Sequence, residues 1–286
     1  MAGAFVRQQS AFRDWPERGA PPSRYHLYVA LACPWSHRAV IVRRLEGLED
    51  DLGTSYLHPY RDERGWHFAG GGFSDELNGF EFLAEAYRQT DPGYDGRISV
   101  PVLWDKETEA IVSNESADIV RMLDEWGDAG LYPEELRDEI EDLNQWIYGD
   151  LQNGVYRAGF ARSQEAYDEA FEGVFEALHR LEALLGERRY LTGDRLTLAD
   201  WRLFPTLVRF DTVYFTHFRC NGRRLVDHPN LWGYTRELYQ RPGIAATVAM
   251  DQIREHYYTT HDSLNPKRIV PRGPLDLDFT APHGRG

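Results

Sequence analysis

The residues that could do chemistry cluster in Ala32-Cys33-Pro34-Trp35-Ser36-His37-Arg38. Val40, Ile41, Val42, Leu45 and Leu48 follow at near-helical spacing, so Pro34 is read as the first residue of a helix ending near Gly47. Cys33 then occupies the N-cap, where unsatisfied backbone N–H groups and the positive end of the helix dipole converge. That setting favours thiolate over thiol. A free cysteine with a pKa of about 8.5 is barely ionised at neutral pH, whereas cysteines at helix N-termini can fall to about 3.5 to 7.5. His37 and Arg38 share the first turns and would add positive charge. The spacing is that of a C-x-x-C redox motif with Ser36 in the second place. A two-cysteine site resolves a mixed disulfide internally; this one needs an external thiol, which predicts a one-cysteine mechanism using a small thiol. A buried, inert cysteine is the plainer alternative. Placement between a strand and a proline-led helix favours the reactive reading.

Two further motifs follow in chain order. Val100-Pro101 puts a proline at the start of a strand, where an ordinary edge-strand proline would also sit. Asn114-Glu115-Ser116 opens a helix, offering a carboxylate for an ammonium group and a hydroxyl with a backbone N–H for a carboxylate. Alone, such a pair is more often simple capping. Coupled to Cys33 and Val100-Pro101, it suits the γ-glutamyl end of a small thiol. Cys220 lies far from these motifs and reads as structural. The ten histidines show no metal-binding spacing, and Gly70-Gly71-Gly72 lacks the strand and the Lys-Ser/Thr of a nucleotide loop.

The elements that must position these residues follow from the pattern. Tyr25 to Leu31 alternates and reads as a strand, as do Thr54 to Leu57, Val100 to Asp105 and Ala110 to Val112. Helices are predicted after Cys33, from Gly79 to Arg88, and from Glu115 to Trp126. Beyond Gly127 no strand is evident, and helical periodicity marks Pro133 to Tyr148, Glu165 to Leu185, Leu198 to Phe210 and Leu231 to Tyr239. The predicted organisation is an N-terminal arm over 1–23, an α/β domain over 24–127, an all-helical domain over 131–262 and an extended, proline-rich tail over 263–286. Thr197-Leu198-Ala199-Asp200 predicts a capping box beneath an apolar helix.

Composition removes several classes. The 286 residues suit about two domains. A hydrophobic content of 42% excludes disorder. No stretch approaches the roughly 20 apolar residues of a membrane span, and the N-terminus lacks the apolar centre of a signal peptide, so a soluble, cytoplasmic protein is expected. Two cysteines are too few for a disulfide framework. The net charge of -14 opposes binding to nucleic acid or anionic membranes. Lysine occurs only at Lys106 and Lys267. Either a high-GC genome or salt adaptation accounts for that bias; stability that does not rise between low and molar KCl removes the second.

Taken together, these residues resemble the glutathione transferase superfamily, and more narrowly its Xi class, the glutathionyl-hydroquinone reductases. The matching segments are Cys33 to Arg38, Ser99 to Asp105, Asn114 to Ser116, Asn153 to Phe160, Arg209 to Phe218 and Ile269 to Pro271, spanning almost the whole chain. Ser36 departs from the alanine usual there, and its hydroxyl could bond the thiolate. The resemblance implies an α/β thioredoxin-like N-terminal domain plus an all-α C-terminal domain, with a cis Val100-Pro101 bond that turns the Val100 backbone toward a peptide-like ligand. It implies Cys33 as nucleophile supported by Pro34, His37 and Arg38, and a thiol held by Trp66, Arg97, Val100, Glu115 and Ser116. Tyr156, Tyr214 and Tyr257 would line a hydroquinone pocket, with His217 as proton donor. The implied reaction is thiol-dependent reduction of a glutathionyl-hydroquinone, with glutathione as co-substrate, no metal and a homodimeric assembly. Under salt adaptation the thiol could instead be γ-glutamylcysteine. Two alternatives stay open: an Omega-like thiol transferase or dehydroascorbate reductase, and a non-catalytic binding subunit on the same scaffold.

Overall fold

A computed structural model describes residues 3–286. By contacts the chain forms two compact units: Gln8–Gly130 with Ala246–Thr260, and Leu131–Ala245 with His261–Gly286 and residues 3–7.

The first unit is built on a four-stranded sheet: β1 (Tyr25–Val29), β2 (Gly53–Tyr56), β3 (Val102–Asp105) and β4 (Ala110–Ser113), in the order β2-β1-β3-β4. β1 runs parallel to β2 and antiparallel to β3, and β3 is antiparallel to β4. All five residues of β1 are buried, as expected for a strand covered on both faces. Helices α1 (Pro34–Leu45) and α3 (Ser116–Trp126) pack on each other, and α2 (Leu83–Thr90) packs against β4. α1 begins at Pro34 and stops before Gly47, whose φ of 67° is the left-handed conformation that favours glycine.

The second unit is helical: α4 (Arg137–Trp146), α5 (Gly154–Gly159), α6 (Gln164–Glu187), α7 (Leu198–Arg209) and α8 (Pro229–Tyr239). Every residue of α7 is buried. The capping box stands at its start. Thr197 N–H donates to Asp200 Oδ2 at 2.9 Å, and Asp200 Oδ1 accepts from Leu191 N–H at 3.0 Å and Tyr234 Oη at 2.7 Å. π-helical turns follow α4 (Ile147–Gln152) and α7 (Phe210–Tyr214). The tail has no helix or strand and is pinned by Arg285 Nε on Glu237 (3.1 Å) and by Gln240 Nε2 on the carbonyls of Phe279 and Ala281.

The structure departs from the sequence expectations at several places. The second helix starts at Leu83 rather than Gly79, because the preceding stretch is a turn held by Asp75, whose carboxylate accepts from the N–H groups of Leu77 and Phe80. Helix α5 was not foreseen. A ninth helix, α9 (Met250–Thr260), was not foreseen either, and it groups with the α/β unit rather than with the helical domain assigned to 131–262. Its buried side chains include Ile253, His256 and Tyr257, and His256 stacks on Trp66 with ring centroids 4.9 Å apart. The arm over 1–23 likewise divides, residues 3–7 joining the helical unit and the rest the α/β unit.

Candidate active site

The strand-to-helix turn presents Cys33 as the N-cap of α1, with extended backbone angles and no side-chain capping bond. Its N–H donates to Ala30 O at 2.9 Å, and its carbonyl accepts from His37 N–H at 3.0 Å, starting the helix. Sγ lies 3.8 Å from Val100 O. The Val100-Pro101 bond is cis, and the Val100 carbonyl just before β3 faces the sulfur. Cys33 and Val100 share one buried cluster with Trp66 and Tyr87. Ser36 does not reach the sulfur: its Oγ accepts from Ala30 N–H at 3.3 Å.

The supporting residues separate. Arg38 is buried, donates Nη1 to Ser116 Oγ at 3.3 Å and lies 4.4 Å from the centre of the Trp35 ring. It therefore links the cysteine-bearing helix to the first turn of α3. His37 is also buried, but its Nε2 meets Thr247 Oγ1 at 2.8 Å, anchoring the segment that leads into α9.

At the start of α3, Glu115 is the N-cap: Oε1 accepts from Ala117 N–H at 3.0 Å and Oε2 from Ser10 Oγ at 2.9 Å. Tyr87 ties this turn to the strand beside the sulfur, since its Oη donates to Ser99 O (2.8 Å) and accepts from Asn114 Nδ2 (3.0 Å). Trp66 is buried between His256 and the guanidinium of Arg61, 5.7 Å from its ring centre. Arg97 is exposed, and its N–H donates to Gln8 Oε1 at 3.1 Å. Tyr257 is buried in this unit, edge-on to His256 at 5.4 Å.

The helical unit brings Tyr156 and Tyr214 together, ring centroids 6.1 Å apart, each packed on Phe218 at 5.1 and 5.5 Å. Arg7 lies over Tyr156 at 4.8 Å and bonds Asn153 Oδ1. His217 meets His261 through Nε2 and Nδ1 at 3.2 Å. Burial, assisted by the Arg219 charge, lowers its pKa to about 4. That shift favours the neutral imidazole, whose one N–H is its remaining donor. Cys220 is wholly buried, which pushes its thiol up to about 12 and accords with a structural role. Among the described residues, no group of three or more His, Cys, Asp or Glu could hold a metal, and no helix is long and apolar enough to cross a membrane.

Sequence reasoning missed Gln8, Ser10, Tyr87 and His256.

A lone cysteine capping the first helix of a thioredoxin-like sheet, before a cis-proline strand and ahead of a helical unit, defines the architecture of a thiol-handling transferase. A family profile described as "Glutathione S-transferase, N-terminal domain" matches residues 32–126, and one described as "Glutathione S-transferase, C-terminal domain" matches 164–237. The chain belongs to the glutathione S-transferase family, in its Xi class. It is 51% identical to glutathionyl-hydroquinone reductase YqjG of Escherichia coli, over 99% of this chain and 92% of that protein. The glutathione-bound structure of YqjG superposes with a TM-score of 0.92 at 50% identity, covering 96% of each chain. Glutathionyl-hydroquinone reductase PcpF of Sphingobium chlorophenolicum is 46% identical over 95% of this chain and 90% of its own. A Xi-class transferase from Natrialba magadii gives a TM-score of 0.92 at 49% identity, covering 96% of this chain and 88% of that one.

Proposed function

We propose that the protein is a glutathionyl-hydroquinone reductase that works through a Cys33 mixed disulfide, with glutathione as co-substrate. The observation that carries this reading is the single cysteine at the N-cap of α1, facing the Val100 backbone, with Ser36 where a resolving cysteine would stand. The identity to two glutathionyl-hydroquinone reductases supports the choice of substrate.

Tautomerisation first moves a hydroxyl proton of the substrate to the ring carbon that bears sulfur. The Cys33 thiolate attacks that sulfur; the C–S bond breaks, and its electron pair leaves as the phenolate oxygen, which takes a proton to give the hydroquinone. Cys33 is left disulfide-bonded to glutathione. A second glutathione thiolate attacks the glutathione sulfur, Cys33 departs as thiolate, and oxidised glutathione is released.

In this reading Glu115 takes the γ-glutamyl ammonium, Ser116 and its N–H the adjacent carboxylate, Arg97 the glycine carboxylate, and Trp66 and the Val100 backbone the middle of the peptide. Tyr156, Tyr214 and Tyr257 bind the ring and its hydroxyls, and the working form is a homodimer. Cys33→Ser tests the mechanism: turnover of glutathionyl-hydroquinone should vanish while glutathione binding persists, and an unchanged rate sinks it.

A further inference from the structure

We propose that the N-terminal arm forms the outer wall of the thiol site, with Gln8 and Ser10 as positioning residues that set the affinity and choice of γ-glutamyl thiol. The inference rests on the roles given above to Glu115 and Arg97, and it assigns residues that carry no recognisable motif.

From residue 8 to residue 14 the arm runs beside both thiol-binding segments. Gln8 Oε1 accepts from Arg97 N–H at 3.1 Å. Gln8 Nε2 stands 2.7 Å, and Tyr94 Oη 2.6 Å, from the point that a Cβ on Gly96 would occupy, so the glycine leaves room for both groups. Ser10 Oγ donates to Glu115 Oε2 at 2.9 Å. Phe12 exchanges two bonds with Asn114, its N–H donating to Oδ1 at 3.1 Å and its carbonyl accepting from Asn114 N–H at 3.0 Å. Arg13 clamps Asp118 with two bonds, at 2.7 and 2.9 Å, and Asp14 N–H donates to Val112 O at 3.0 Å.

The two contacts act at opposite ends of the ligand. Each Glu115 oxygen already accepts one bond, Oε1 from Ala117 N–H and Oε2 from Ser10, and each keeps a further lone pair for an ammonium group. Ser10 thus holds the carboxylate in one orientation without neutralising it. Gln8 fixes the backbone that carries Arg97 and leaves an amide donor beside it. Glutathione has a glycine carboxylate to place there; γ-glutamylcysteine ends one residue earlier.

Steady-state kinetics with each thiol tests the proposal. Ser10→Ala should raise KM for glutathione and γ-glutamylcysteine alike, by about 3- to 10-fold, the size of a typical net hydrogen bond, since the lost bond acts on the ligand only through Glu115, with kcat at saturating thiol unchanged. Ser10→Thr should restore it. Gln8→Ala should raise KM for glutathione and leave that for γ-glutamylcysteine alone. If Glu115→Gln raises both KM values while the Ser10 and Gln8 variants match the parent, the arm proposal is wrong and the thiol-site assignment stands. If Glu115→Gln changes nothing, the assignment fails and takes this inference with it. A Ser10→Ala protein that loses kcat and melting temperature with KM unmoved makes the arm merely structural, which also overturns the proposal.

Discussion

Gly159 ends α5 where a side chain has no room. A Cβ there would fall 2.4, 2.5 and 2.9 Å from Cδ1, Cγ and Cβ of Phe218. Ordinary carbon contacts lie at about 3.5 to 4.0 Å, so Gly159→Ala requires the ring to retreat by about 1 Å. Phe218 cannot move alone, because it packs on Tyr156 at 5.1 Å and on Tyr214 at 5.5 Å. Overpacking of this kind costs about 1 to 3 kcal/mol. Alanine returns up to about 1 kcal/mol through helix propensity, a gain reduced at a helix end. The clash wins, and the expected fall in melting temperature is about 2 to 8 °C. The same shift disturbs the two tyrosines assigned to the ring, so KM for the glutathionyl-hydroquinone should rise while thiol KM stays fixed. Phe218→Leu in the same chain should recover part of the stability. A Gly159→Ala protein that melts at or above the parent temperature with unaltered KM refutes both the packing argument and the role given to the tyrosine pair.

Glu46, at the end of α1, is pushed up to about 7, first by burial and then by the neighbouring Asp124 carboxyl, although Ala129 N–H opposes the shift by donating to Oε2 at 2.8 Å. The folded state therefore keeps this proton to higher pH than the unfolded chain, so the contribution of Glu46 to stability is fully present below about pH 4.5 and is lost as pH rises through about 7. Screening reduces the effect to about 1 to 2 kcal/mol. Denaturant midpoints across that window should fall less for Glu46→Gln than for the parent, and parallel curves would dismiss the shift. Asp200→Ala should cost about 3 to 5 kcal/mol, because Thr197 N–H, Leu191 N–H and the Tyr234 hydroxyl all lose a buried acceptor; a loss below 1 kcal/mol in urea unfolding would show that water replaces the carboxylate.

What the sequence revealed, and what it hid, divides along range of interaction. The N-cap position of Cys33 was readable because Pro34 suits the first position of a helix and an apolar strand precedes it by a few residues. Thr197 and Asp200 were readable because a capping box is complete within four positions. Ser10 and Glu115 are 105 residues apart, and His37 and Thr247 are 210 apart; no local pattern announces such pairs. α9 escaped because its buried face is made of His256, Tyr257 and Tyr258 around a single aliphatic residue, Ile253. The apolar periodicity that marks α3 is missing there. His37 beside Cys33 invited a supporting role from proximity in sequence, whereas its ring is committed to Thr247 on another segment. Ser36 invited a bond to the sulfur for the same reason, and its oxygen accepts from Ala30 N–H instead.

The central claim is a transient disulfide on one sulfur. Intact-protein mass spectrometry after a single turnover with glutathionyl-hydroquinone, quenched before added thiol, should show one glutathione adduct, mapped to Cys33, absent from Cys33→Ser and removed by excess glutathione. Cys220 serves as the internal control, since burial holds it as thiol. Hydroquinone release with no adduct on Cys33, or with the adduct on Cys220, would contradict the account.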